Sequence, residues 1–149
     1  MADNSPLRVV LVDDEPLAIE RLETLCKRID RVEVVGTADH GEAALDVVAR
    51  EAPDLVLLDL TMPGPDGIEV ARRLAKKPSP PAIIFVTAHE SFAVEAFDLD
   101  AVDYVLKPVA AERLERAIAR ALAKRGETAE PGDTKWLQEL WVPHRSELV

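Results

Sequence analysis

The chain has 149 residues, 48% hydrophobic and 31% charged, which fits an ordinary globular domain and excludes a disordered chain. A net charge of −10 argues against a chain that grips nucleic acid by itself through phosphate neutralisation. A single cysteine excludes a disulfide framework, and no apolar run approaches membrane-spanning length.

Residues 1–6 carry neither a basic segment nor an apolar signal core, so a cytoplasmic protein is expected. Leu-Arg-Val-Val-Leu-Val at 7–12 is a β-branched apolar run and predicts a buried strand, ending on Asp13-Asp14-Glu15. Pro16 suits the first turn of a helix, along which Ala18, Leu22, Leu25, Cys26 and Ile29 recur on one face. Cys26 is therefore expected as core filler. Val32 to Val35, before Gly36, predict a short strand, and residues 41–51 a helix with Ala44, Leu45, Val48 and Ala49 as its apolar stripe.

Val56-Leu57-Leu58-Asp59-Leu60-Thr61-Met62-Pro63 is an apolar run that ends on a carboxylate and is stopped by a proline. After the turn at 62–67, Asp66 is placed to cap a helix bearing Ile68, Ala71, Leu74 and Ala75. Ala-Ile-Ile-Phe-Val-Thr at 82–87 predicts a fourth strand that ends on a hydroxyl, Thr87. Residues 91–99, with Phe92, Ala96 and Phe97 on one face, predict a short helix, and residues 102–106 a fifth strand ending on Lys107-Pro108. A last helix over 111–125 puts Leu114, Ile118, Ala121 and Leu122 inside, Arg113, Arg116, Arg120 and Lys124 outside, and ends near Gly126 as a C-cap. Residues 126–135 are polar and broken by Pro-Gly, so they predict a linker; residues 136–142 turn apolar again, and the stub 136–149 is too short to fold alone, so it reads as a docking strand or the start of another domain.

Buried strands alternating with helices specify an α/β fold, a doubly wound five-stranded parallel sheet. In such folds ligands bind beyond the carboxyl ends of the strands. Those ends carry Asp13, Asp14 and Glu15, then Asp59, Thr87 and Lys107. Converging carboxylates repel unless a proton or cation compensates them, and carboxylate oxygens suit Mg²⁺. Lysine adds a compact positive charge, threonine a rotatable hydroxyl, and an aspartate can act as nucleophile toward phosphorus. Asp59 is thus the candidate phosphoryl acceptor.

Four motifs occur in order: Val-Asp-Asp-Glu-Pro at 12–16, Leu-Leu-Asp-Leu-Thr-Met-Pro at 57–63 with Asp66-Gly67, Val-Thr-Ala at 86–88, and Asp-Tyr-Val-Leu-Lys-Pro at 103–108. Together they resemble the receiver domain of two-component response regulators, over residues 7–125. The resemblance implies a CheY-like (βα)5 fold and phosphorylation of Asp59 by a histidine kinase. It implies Mg²⁺ bound by Asp14, Asp59 and the backbone carbonyl of Thr61, with Asp13 acting through water. It also implies that Lys107 and Thr87 contact the phosphoryl group, that Lys107-Pro108 is cis, and that Tyr104 is the switch aromatic. The expected output is a changed surface of helix four, strand five and helix five, a homodimer on phosphorylation.

The stretch from Ala88 to Leu99 is similar to receivers of the LytTR (LytR/AlgR) type, and Leu140-Trp141-Val142-Pro143-His144-Arg145 is similar to the start of their DNA-binding domain. DNA would be contacted only through that domain, which this chain does not complete. Pro65 departs from the family pattern and should stiffen the loop beside Asp59. Thr61 and His89 stand at positions the family varies, and are expected to tune the lifetime of the phosphoryl group.

Plainer readings stand beside these. Asp66 is a helix cap rather than a chemical group, Glu15 and His89 are exposed loop residues, and Tyr104 is edge packing with a wet hydroxyl. A rival function is a Mg²⁺-dependent aspartyl-phosphate phosphatase or phosphotransferase; against it, Asp59-Leu60-Thr61 lacks the second acid of haloacid-dehalogenase-type enzymes. No glycine-rich phosphate-binding motif follows the first strand, which discounts a nucleotide-binding domain.

Overall fold

The structure, a computed structural model, describes residues 5–125. In chain order the elements are β1 (Leu7–Val12), α1 (Pro16–Lys27), β2 (Val32–Ala38), α2 (Gly41–Glu51), β3 (Leu55–Leu58) and α3 (Gly67–Ala75). They continue with β4 (Ala82–Thr87), a 3-10 turn (Glu90–Phe92), α4 (Ala93–Asp98), β5 (Asp103–Leu106) and α5 (Ala111–Arg125). All pairings are parallel, in the order β2-β1-β3-β4-β5. This is the doubly wound sheet that the alternation of strands and helices predicts.

Each central strand is buried on both faces, which explains the unbroken apolar runs. Val10, Val12, Val56, Leu58 and Phe85 pack with Ala44, Val48, Ala71 and Leu74 of α2 and α3 on one face. Val9, Leu11, Leu57 and Ile84 pack with Leu22 and Leu25 of α1 and Leu114 and Ile118 of α5 on the other. Cys26 lies in that second layer; burial, then the charge of Glu23, pushes its thiol up to about 11, so it is inert filler.

Several boundaries differ from the sequence expectation. β2 continues through Gly36 to Ala38, because a register shift against β1 pairs Val34 with Val9 and Gly36 with Val10, leaving Val35 as an extra residue. On α2 and α3 the buried positions are Val47 and Val70 rather than Ala49 and Ala75. Both alanines line an open groove of about 670 Å³ that also takes in Pro53, Pro80 and Pro81, so none of the described residues covers them. Helix four is shorter than residues 91–99 and is preceded by the 3-10 turn; Ala96 is buried but Phe97 is 39% exposed, since six residues present only a narrow stripe to the sheet.

On α5, Arg120 and Arg113 do not lie on the outer face where the helical period puts them. Arg120 is buried and Arg113 half-buried, and both guanidinium groups meet Asp103, which is itself buried at the start of β5. A carboxylate there requires a cation, and positions 113 and 120, two turns apart on α5, supply two. Arg116 and Lys124 are exposed as expected. Gly126 and the segments 126–135 and 136–149 lie outside the described residues.

Candidate functional site

The chain reverses its order of strand addition between β1 and β3, and the crevice beyond their carboxyl ends is the place such sheets offer a ligand. Asp13 follows β1 and Asp59 follows β3; their backbones are tied by Asp59 N–H donating to Val12 O at 3.0 Å. Both carboxylates are buried, whereas Asp14 is exposed at the rim. Carboxylate oxygens of Asp13, Asp14 and Asp59 lie within 4.8 Å of one another.

Lys107 enters from the end of β5, its N–H donating to Thr87 O at 2.8 Å. Its Nζ lies 2.7 Å from Asp13 Oδ2, 3.5 Å from Asp59 Oδ2 and 3.4 Å from Glu15 Oε1. Glu15 is exposed as predicted, but it joins this ring of charge rather than standing apart in solvent. The Lys107-Pro108 bond is cis.

Burial raises the Asp59 carboxyl above the usual range, and the charge of Asp13 raises it further; Lys107 and the Thr61 N–H pull the other way without cancelling the rise. Burial alone would lower the Lys107 ammonium, but its contacts with Asp13 and Asp59 outweigh this and hold it above its ordinary value. The site therefore keeps a lysine cation among acids that repel one another. Asp13 Oδ2 is buried and receives no aligned hydrogen bond although Lys107 is close. Three carboxylates with oxygens this close together, two of them buried and only one lysine ammonium against them, form a donor set that fits a hard divalent cation.

Thr87 is fully buried at the end of β4, and its Oγ1 accepts from the His89 N–H at 3.3 Å. Tyr104 is buried against Phe85, ring centroids 6.3 Å apart, and its hydroxyl donates to the His89 carbonyl oxygen. The tyrosine hydroxyl is thus paired, not wet. Thr61 is exposed, with its N–H 3.5 Å from Asp59 Oδ1.

Residues 9–119 match the family model described as the response regulator receiver domain. The chain belongs to this receiver family. The receiver is 49% identical over 116 residues to the positive alginate biosynthesis regulatory protein of Pseudomonas aeruginosa, covering 77% of this chain and 47% of that protein. It is 42% identical over 114 residues to the sensory transduction protein LytT of Bacillus anthracis, covering 76% of this chain and 46% of that protein. The chain therefore spans about half the length of these curated relatives. Among solved structures, the response regulatory domain of MrkE from Klebsiella pneumoniae superposes with a TM-score of 0.74 at 34% identity, over 81% of this chain and 98% of that one. The isolated receiver domain of RcsB from Salmonella enterica, solved with phosphomimetic BeF3⁻, superposes with a TM-score of 0.71 at 27% identity, over 77% of this chain and 87% of that one.

The receiver also uses residues whose importance the sequence pattern conceals. Asp66 caps α3 as expected, its Oδ1 accepting from Glu69 N–H at 2.9 Å. Its neighbour Gly67 is required more strictly, because a Cβ there would lie 2.2 Å from Asp59 O and 2.7 Å from Leu60 Cα. Pro65 sits over the start of α2, where a Cβ on Gly41 would meet Pro65 O at 2.3 Å. The loop after Asp59 is thus held by close backbone contact on two sides. The Asp-Gly pair was visible as a motif, but which backbone it approaches was not.

Proposed function

We propose that Asp59 accepts a phosphoryl group from the phosphohistidine of a sensor histidine kinase. The observation that carries this reading is the placement of Asp59: a buried carboxylate at the β1/β3 switch point, flanked by Asp13 and Asp14 and faced by Lys107. An Asp59 carboxylate oxygen attacks phosphorus, the P–N bond breaks, and the histidine nitrogen leaves with the electron pair and takes a proton. Lys107 meets the charge on a phosphoryl oxygen and the Thr87 hydroxyl donates to another.

Asp14, Asp59 and the Thr61 carbonyl would hold Mg²⁺ directly, and Asp13 through water. When bound, the cation neutralises the crowded carboxylates and the incoming phosphoryl oxygens. Receiver membership makes this a signalling protein rather than an enzyme that releases product.

The hydrogen bonds from His89 N–H to Thr87 and from Tyr104 to His89 O support a coupled response. A Thr87 hydroxyl drawn toward a phosphoryl group on Asp59 releases the His89 N–H, and the backbone that Tyr104 holds moves with it. The affected surface includes exposed Val94, Phe97 and Leu106, apolar groups suited to a second copy of the chain. In the whole protein, dimerisation would control a LytTR-type DNA-binding domain, the reading that similarity to the LytT and alginate regulators supports. Thr61 and His89 would tune the lifetime of the adduct.

The test is incubation with Mg²⁺ and acetyl phosphate, followed by intact mass and oligomeric state. An acid-stable, base-labile phosphoryl adduct that is absent from Asp59→Asn, with a shift toward dimer, is the expected result. Label surviving in Asp59→Asn would refute the assignment.

A further inference from the structure

We propose that Arg21 on α1 is a positioning residue for Lys107, an inference that rests on the phosphoryl-contacting role given above to that lysine. Lys107 reaches the carboxylates from residues 107–110, the segment between β5 and α5. Its own N–H is fixed to β4 through Thr87 O. On the other side of Pro108 the segment is held from α1, where Arg21 Nη2 donates to Val109 O at 2.8 Å. Val109 is buried, so its carbonyl needs such a donor.

The polar contact lies beside an open pocket. That pocket, of about 170 Å³, is lined by Ala18, Arg21 and Leu22 of α1 and by Lys107, Pro108 and Val109. Val109 packs in the same buried layer as Leu22, and the guanidinium adds a directed hold on its carbonyl to that apolar contact. Because α1 starts at Pro16, directly after Asp13-Asp14-Glu15, the same helix fixes both the acids and the cation that answers them. The separations at stake are 2.7 Å to Asp13 and 3.5 Å to Asp59, a range in which a displacement of one ångström changes what Lys107 can reach.

The experiment compares wild type, Arg21→Ala, Arg21→Lys and Glu20→Ala, an exposed α1 neighbour, using Mg²⁺ and acetyl phosphate so that no kinase contact enters. Arg21→Ala should be labelled about tenfold more slowly, as loss of positioning predicts. Its Mg²⁺ affinity should be unchanged and its Lys107 amide resonance shifted. Arg21→Lys, which still donates to a carbonyl, should recover part of the rate, and Glu20→Ala should match wild type. Labelling of Arg21→Ala at the wild-type rate, or an equal loss of Mg²⁺ affinity, would overturn the inference while leaving Asp59 as acceptor. A wild-type protein that takes no label would overturn the acceptor reading and this inference with it.

Discussion

Replacing Asp103 by alanine removes the acceptor at the centre of a buried charge cluster. Asp103 accepts from Arg113 at 2.8 and 2.7 Å, lies 3.3 Å from Arg120 Nη1, and also accepts the Tyr104 N–H at 2.8 Å. Breaking a buried ion pair by deleting one partner costs about 3–5 kcal/mol, because the remaining charge stays desolvated. Arg113, with its side chain 23% exposed, can turn toward water; Arg120 at 9% cannot. The lower end, about 3 kcal/mol, follows, which for roughly 120 residues corresponds to a melting point about 12 °C lower. Thermal unfolding by circular dichroism at pH 7.5 measures it. Burial pushes the Asp103 carboxyl up, but Arg113 and the Tyr104 N–H outweigh burial and hold it below 3.8. Its contribution is therefore present above pH 3.8 and is lost as pH falls through the lower folded value, so the gap between wild type and variant should close in that acid range. A loss under about 4 °C at pH 7.5, roughly 1 kcal/mol, would refute the reasoning. Changing Asp103, Arg113 and Arg120 together to leucine should recover most of the loss, since no charge is then stranded.

Asp59→Asn should raise the melting point of the Mg²⁺-free protein at pH 7.5. A carboxyl whose folded value is raised loses stability as pH climbs from its unfolded to its folded value, so the gain should vanish in acid near pH 3.8; no gain at neutral pH would refute this. Mg²⁺ at ten times its dissociation constant should stabilise wild type by about 1.4 kcal/mol, roughly 6 °C, and Asp59→Asn should show less than half of that at the same concentration. Gly67→Ala should cost about 1–3 kcal/mol and also slow labelling of Asp59, because the backbone it would strike is that of the acceptor; a folded variant labelled at the wild-type rate would count against it. Lys107→Ala should retain Mg²⁺ binding yet lose the phosphodonor-dependent change of oligomeric state, measured by light scattering; intact switching would remove the role assigned to that ammonium.

Much of the site was legible in the sequence because its groups terminate strands. A run such as Leu55–Leu58 is confined to a two-sided core by its lack of polar groups, so the carboxylate that follows it must emerge at the strand edge. The same holds for Asp13, Thr87 and Lys107, and alternation with helices makes those edges coincide. Asp103 is the opposite case. It lies near the start of the predicted strand 102–106, where nothing local names a partner for it, and the charges that make it tolerable stand on α5, ten and seventeen residues away. Arg113 and Arg120 looked like an outer face because helical period separates apolar from polar positions but does not say which polar position meets a buried partner.

The sequence by itself thus determined the five-stranded parallel architecture and the set of groups at its carboxyl edge, since burial and helical period are local properties of the chain. Only the tertiary structure decided how those groups are held. The approach of Gly67 to Asp59, the Asp103 cluster, the pairing of Tyr104 with His89 and the contact of Arg21 with Val109 are all set by which residues distant in sequence meet across packed elements.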